Sequence, residues 1–147
     1  MRTGRERVEA DAAARGISVE FVERTHAAEL GLDRADFVKS MLVKRHNGTF
    51  LFALVPLDRQ IAWPKLRAVV GVNKLLLPDA SVALAVTGYE RGTITPLGST
   101  PAWPVFADER ITGRRIGMGS GEHGVGAVVD ADQLIAGLQA TVADISA

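Results

Sequence analysis

The 147-residue sequence is 47% hydrophobic and 23% charged, with 17 basic and 17 acidic side chains, a composition that suits a globular chain and not a disordered one. It contains no cysteine, which excludes disulfides, thiolate metal sites and a cysteine nucleophile and fits a cytoplasmic location. No apolar run approaches the roughly 20 residues of a membrane helix; the best, Val69 to Leu77, is interrupted by Gly71, Asn73 and Lys74, and the basic opening Met1-Arg2-Thr3-Gly4-Arg5 lacks the apolar stretch of a secretory signal.

Length predicts one domain, residues 1–147, that buries roughly 68–70% of its unfolded surface. Arg5 to Arg15 reads as a short helix with Val8, Ala12 and Ala13 on one face and Gly16 as its stop. Ile17, Val19 and Phe21 alternate with polar residues, as a half-buried strand does. Thr25 is placed to cap a helix over His26–Leu30, stopped by Gly31. Phe37 to Lys44 and Thr49 to Val55 are strand-like runs joined through Asn47-Gly48, a pair suited to a two-residue hairpin turn in which both positions take positive φ. Asp58 can cap a helix running to Val70, with a kink or a split at Trp63-Pro64. A short apolar segment, Lys74–Leu77, precedes a helix over Asp79–Val86 and a long loop over Gly88–Pro104. Arg115–Met118 and Val125–Val129 read as strands, and Asp130 with Gln133 resembles a capping box for a last helix to Val142. The sum is a compact α+β domain around a mixed, partly antiparallel sheet flanked by helices.

Two glycine-rich loops stand out, because long loops in a compact domain are commonly functional. In the first, Gly88 to Gly98, glycines let a ligand approach the backbone while Pro96 fixes the path, so that amides can be aimed at an anion or a carbonyl oxygen. The plain alternative is a surface loop with convenient turn residues. The second, Gly117 to Gly124, contains Gly119-x-Gly121-x-x-Gly124. That pattern is not a dinucleotide fingerprint here, since a strand-like run follows it where the fingerprint must open a helix. His123 lies inside this loop, where it can orient water, move a proton or bind substrate, whereas His26 and His46 read as solvated. No second histidine or carboxylate stands at ligand spacing from His123, so no metal and no cofactor is expected.

Alternation along this strand would put Lys39 on one face with Phe37 and Met41. Either the register is shifted, or the lysine snorkels from an edge strand, or it is held at a pocket floor for a phosphate or carboxylate. Phe50 and Phe52 sit among Leu51, Ala53, Leu54 and Val55 and read as core. Charge is unevenly spread: residues 39–74 hold seven basic side chains against Asp58 alone, while both flanking segments are acidic. This basic middle is a phosphate footprint or a solvated face, and charge alone leaves both open.

Taken together, Phe37-Val38-Lys39-Ser40-Met41-Leu42-Val43, Gly88-Tyr89-x-x-Gly92-x-Ile94-x-Pro96-Leu97-Gly98 and Gly119-Ser120-Gly121-Glu122-His123, followed by Asp130-x-x-x-Leu134, resemble the YbaK and prolyl-tRNA editing-domain family from about Thr25 to Ile145. The resemblance implies a hydrolase that deacylates tRNA carrying a wrong amino acid, by water attack assisted by the terminal ribose hydroxyl. It gives Lys39 the part of the family lysine that holds the terminal nucleotide, and places His123 where several subfamilies have a histidine. Gly88, Gly92, Thr93, Ile94, Thr95, Pro96 and Gly98, with Gly119, Ser120 and Gly121, become substrate-binding residues. The implied partners are the acceptor end of mischarged tRNA and prolyl-tRNA synthetase, because no anticodon-binding module is visible.

Two departures bear on the substrate. Thr93 and Thr95 stand in a loop that often reads Gly-Gly-Ile-Ser-Pro-Leu-Gly, and Glu122-His123 replace the basic glycine turn of the cysteine-clearing branch. Cys-, Ala- or another small aminoacyl-tRNA(Pro) is therefore expected, since one methylene discriminates by only about 1–3 kcal/mol. A non-catalytic module that binds aminoacyl-tRNA or a synthetase, and a hydrolase of another small ester, are the rival expectations.

Overall fold

The computed structural model describes residues 3–147; the first two residues of the basic opening lie outside them. Helix α1 (Gly4–Ala14) is capped by Thr3, whose side chain accepts from the Glu6 N–H while Glu6 reaches back to the Thr3 N–H. It buries Val8 and Ala12, but Ala13 faces solvent, a correction to the expected apolar face. The helix ends at Gly16 (φ 72°), as expected. The next residues are held as its cap: Ile17 N–H donates to Ala12 O (2.8 Å) and Ser18 N–H to Gln133 Oε1 (2.7 Å). Strand β1 therefore begins only at Glu20 and runs to Glu23. Gln133 is thus diverted from the expected capping box, and only its first half forms, with Asp130 accepting from the Gln133 N–H.

The expected helix after Thr25 is a 3-10 helix over Arg24–Leu30 that includes Thr25 instead of being capped by it. The hairpin of β2 (Val38–Arg45) and β3 (Phe50–Pro56) pairs Lys44 with Phe50. Its turn differs from expectation. Arg45 N–H donates to Thr49 O and Gly48 N–H to Arg45 O, leaving a three-residue loop in which Gly48 alone takes positive φ, 80°. Asn47 instead accepts from the Thr49 N–H and hydroxyl. Helix α2 spans Trp63–Val70 with Pro64 in its first turn, where a missing N–H costs nothing. Asp58 consequently caps no helix and no kink forms.

Strand β4 (Leu75–Leu76) and helix α3 (Ala80–Thr87) match the expected segments, and no strand or helix interrupts the chain from Gly88 to Pro104. Two short strands escaped the sequence reading: β5 (Val105–Asp108) and β8 (Thr141–Ala143). Between them lie β6 (Arg115–Gly119), β7 (Val125–Asp130) and α4 (Ala131–Leu138). Helix α4 stops short of the expected Val142, with Gln139 in the left-handed region (φ 54°).

The strands form two sheets. One is antiparallel with order β1-β7-β6; the other is mixed with order β4-β2-β3-β5-β8, in which β5 runs parallel to both β3 and β8. Every residue of β3 is buried. Phe50, Phe52 and Leu54 face a core shared with the smaller sheet and with α1, α3 and α4, while Leu51, Ala53 and Val55 pack against Leu66 of α2 and Ile145. A strand covered on both faces reads as an unbroken apolar run, as this one does. The α+β architecture with a mixed sheet flanked by helices is as expected, with the smaller sheet as an added layer.

Candidate active site

Strand β4 pairs only with Lys44 and Arg45 of β2, so the first half of β2 has an uncovered edge, interrupted by a bridge between Phe37 and Gly117. An open cleft of about 880 Å³ lies against this edge, within the roughly 300–1,000 Å³ range of ligand sites. Lys39 lines it together with Phe37 and Met41, the three residues expected to share a face. The Lys39 side chain is half-buried and makes no hydrogen bond or ion pair with any described residue. Beside it the Ser40 hydroxyl is buried without a partner, a state costing about 1–3 kcal/mol unless water or a ligand satisfies it.

The opposite wall is the tip of the loop after α3. Gly92 and Ile94 line the cleft, with Gly119 at the end of β6. Arg24 Nη2 donates to Gly92 O at 2.9 Å. The amides of Gly92 and Ile94 donate to no other described residue. Gly92 takes φ 91° and a Cβ there would meet nothing, so its backbone is open to a ligand. Arg24 and Arg91 bring positive charge to the cleft, and Asp79 one negative charge. Three cations against one carboxylate suit an anionic ligand such as a phosphate.

The aminoacyl-tRNA editing domain family matches residues 24–136. This chain belongs to that family. A proline–tRNA ligase of Bacillus licheniformis is 31% identical over 91 residues, covering 62% of this chain and 16% of the ligase. The chain thus corresponds to a small part of that enzyme. Among solved structures, a candidate trans-editing enzyme for prolyl-tRNA synthetase superposes with a TM-score of 0.87 at 21% identity, over 100% of this chain and 99% of that one. A crystallised hypothetical protein gives 0.87 at 23% identity, over 97% and 100%. These likenesses establish the fold, and the family match places the chain among domains that edit aminoacyl-tRNA.

Within this editing domain the sequence-derived site residues divide. Lys39, Gly92, Ile94 and Gly119 meet in the cleft. Gly88, Thr93, Gly121 and His123 line a separate hollow of about 390 Å³. Thr95, Pro96, Gly98 and Ser120 line neither. The hydroxyls of the two threonines are engaged internally, Thr93 donating to Glu90 O (2.8 Å) and Thr95 accepting from the Leu97 N–H (3.2 Å). Ser120 donates to Val125 O (2.7 Å) inside its own turn. His123 is exposed and pairs through Nε2 with Glu90 Oε2 at 2.9 Å, joining the two glycine loops.

Several glycines of these loops make room for the protein itself. A Cβ on Gly88 would lie 2.6 Å from the Arg7 guanidinium, one on Gly98 2.5 Å from the Tyr89 hydroxyl, and one on Gly121 2.7 Å from the Tyr89 ring. Four polar cleft residues were missed by sequence reasoning. Ser40 and Arg91 lay inside the quoted motifs and were readable as neighbours of Lys39 and Gly92. Arg24 and Asp79 carried no sequence signal, since the fold brings them to the cleft from the end of β1 and the start of α3.

The basic middle is also divided. Lys39 is in the cleft, but Lys65 pairs with Asp144 at 2.8 Å and Arg59 donates to Ser146 Oγ at 2.7 Å, both along the C-terminal segment. Among the described residues no cluster of three metal-ligating side chains occurs, and no helix is long and apolar enough to cross a membrane.

Proposed function

We propose that this chain is a trans-editing aminoacyl-tRNA deacylase whose substrate is tRNA(Pro) carrying cysteine, alanine or another small amino acid, with residues 1–147 working as one editing domain. The observation that carries the reading is the cleft itself, which brings the unpaired Lys39 side chain together with Arg24, Arg91 and the free amides of Gly92 and Ile94. Lys39 holds the terminal nucleotide through its phosphate or ribose, and Arg24 and Arg91 add attraction for the acceptor strand. Water adds to the ester carbonyl carbon, and the charge that develops on its oxygen is met by the Gly92 and Ile94 amides. The carbon–oxygen bond to the ribose then breaks, and the ribose oxygen recovers a proton while the amino acid leaves as a carboxylate. The ribose hydroxyl next to the ester assists the water, which suits a cleft without a nucleophile-and-base pair. The 31% identity to part of a proline–tRNA ligase supports tRNA(Pro) as the substrate and prolyl-tRNA synthetase as the docking partner that supplies tRNA identity. His123 lies outside the cleft and is assigned to holding the loops together.

Purified protein incubated with tRNA(Pro) charged in turn with proline, alanine, cysteine and serine tests this reading. Release of at least one small non-cognate amino acid well above prolyl-tRNA is expected. Binding of all four without hydrolysis would instead make the chain a recognition module.

A further inference from the structure

Helix α1 lies before residues 24–136 that match the family, yet it makes the densest polar contacts of the Gly88–Gly98 loop. The Arg7 guanidinium donates from Nη1 to Gly88 O (3.1 Å) and from Nη2 to Thr87 O (3.0 Å) and Gly98 O (2.7 Å). One side chain therefore ties both ends of the loop. It also lies 4.5 Å over the ring of buried Tyr89, whose hydroxyl donates to Leu97 O at 2.6 Å. One turn further along the helix, Asp11 Oδ2 accepts from the Gly98 N–H (2.8 Å) and Oδ1 from Arg15 (3.0 Å). Gly88 and Gly98 are the loop positions where a Cβ would strike Arg7 or its contacts. The base of the loop is closed on α1 while Arg91, Gly92 and Ile94 at its tip reach the cleft.

We propose that α1 is a brace that sets the reach of this loop into the cleft, with Arg7 as its positioning residue; the catalytic part of the claim rests on the deacylase reading above. The planar fork of a guanidinium serves three carbonyls at once and stacks on an aromatic face, which a lysine ammonium cannot do. Its carbonyl acceptors are fixed points on the backbone, so the contact sets loop geometry more than it balances charge. The brace acts on the loop amides that meet the developing oxyanion, so its loss should lower the rate at saturating substrate more than it weakens binding.

The test compares Arg7→Ala, Arg7→Lys and Asp11→Ala with Leu66→Ala, a core change on α2, across the mixed sheet from α1. Amide exchange is measured on the free protein and single-turnover deacylation on the same samples. In the Arg7 and Asp11 variants, exchange over residues 89–98 should rise at least tenfold, with that over β3 unchanged. Turnover should fall at least tenfold with KM within about twofold, and lysine should not rescue it. Leu66→Ala should lower Tm while leaving loop exchange and turnover near wild type. Unchanged loop exchange in Arg7→Ala and Asp11→Ala would overturn the brace. Loosened loops with wild-type turnover would overturn its catalytic role. If wild type deacylates nothing, the functional reading falls and the catalytic role with it, and the exchange data still decide whether α1 holds the loop.

Discussion

Lys39 is the residue to which the proposed function gives the leading part, because its side chain is half-buried in the cleft and forms no ion pair with any described residue. On that proposal, replacing it removes a ligand contact and no internal hydrogen bond or ion pair of the side chain. Lys39→Ala should slow deacylation about 10²-fold, the size of loss that follows when a bound substrate is misplaced, with a stability change within about 1 kcal/mol. Lys39→Arg should also be impaired, since a planar fork does not replace a compact ammonium. His123 should behave differently. Exposed pairs contribute about 0.2–1 kcal/mol, so His123→Ala should lower turnover by less than about fivefold, which single-turnover rates would show. Tyr89 offers a spectroscopic check on loop packing. Burial pushes its hydroxyl up to about 12, partly offset by Arg7, and it is the one tyrosine in the sequence. Absorbance near the phenolate band should therefore stay flat through pH 10 and rise only near 12 or on unfolding. Strand alternation put Lys39 on one face with Met41, but its place at the cleft was not legible, because residues 37–42 line the cleft from both faces along an uncovered edge. The division of the glycine loops was not, since Gly88, Gly98 and Gly121 are required by contacts with Arg7, Tyr89 and Gly4 from distant segments.

At the scale of elements, the readable pieces were those with their own local signal. Strand β3 announced itself as an apolar run and α1 by Val8 and Ala12 on one face and its terminal glycine. Strands β5 and β8 are four and three residues long, too short for a periodic pattern, and exist because β5 completes a parallel ladder beside β3 and β8 one beside β5. Strand β8 is secured by charge. Asp144 receives Lys65 at 2.8 Å and Arg110 at 2.7 Å, and buried Asp108 accepts from the Ile145 N–H at 3.0 Å. The hydrogen bonds from Lys65 and then Arg110 lower the Asp144 carboxyl from 3.8 to about 2. A carboxylate with a depressed folded pKa adds stability that is fully present above its unfolded value and is lost as pH falls through the folded one. Asp144→Asn should therefore lower Tm by a constant amount at neutral and mildly acidic pH, and the gap from wild type should close between about 4 and 2. A gap unchanged down to pH 2 would remove the charge from the account of β8.

Across the whole molecule, zero net charge conceals a basic cleft. The excess over residues 39–74 was visible in the sequence, but which cations face a ligand was not, because the fold spends Lys65 and Arg59 on the C-terminal segment and recruits Arg24 and Arg91 from outside that stretch. Each phosphate contact removed should reduce the slope of log affinity against log salt by about 0.7–0.9. Arg91→Gln should show that reduction with tRNA, and Lys65→Gln should leave the slope near wild type. Equal effects from both would mean that the acceptor stem spreads beyond the cleft. The most direct test of the central claim is the single-turnover hydrolysis of alanyl- and cysteinyl-tRNA(Pro) by wild type and Lys39→Ala side by side. The cleft reading predicts release of at least one of these amino acids by wild type and a rate about a hundredfold lower in the variant at similar Tm. Equal rates in the two proteins, or no release of either amino acid by wild type, would contradict it.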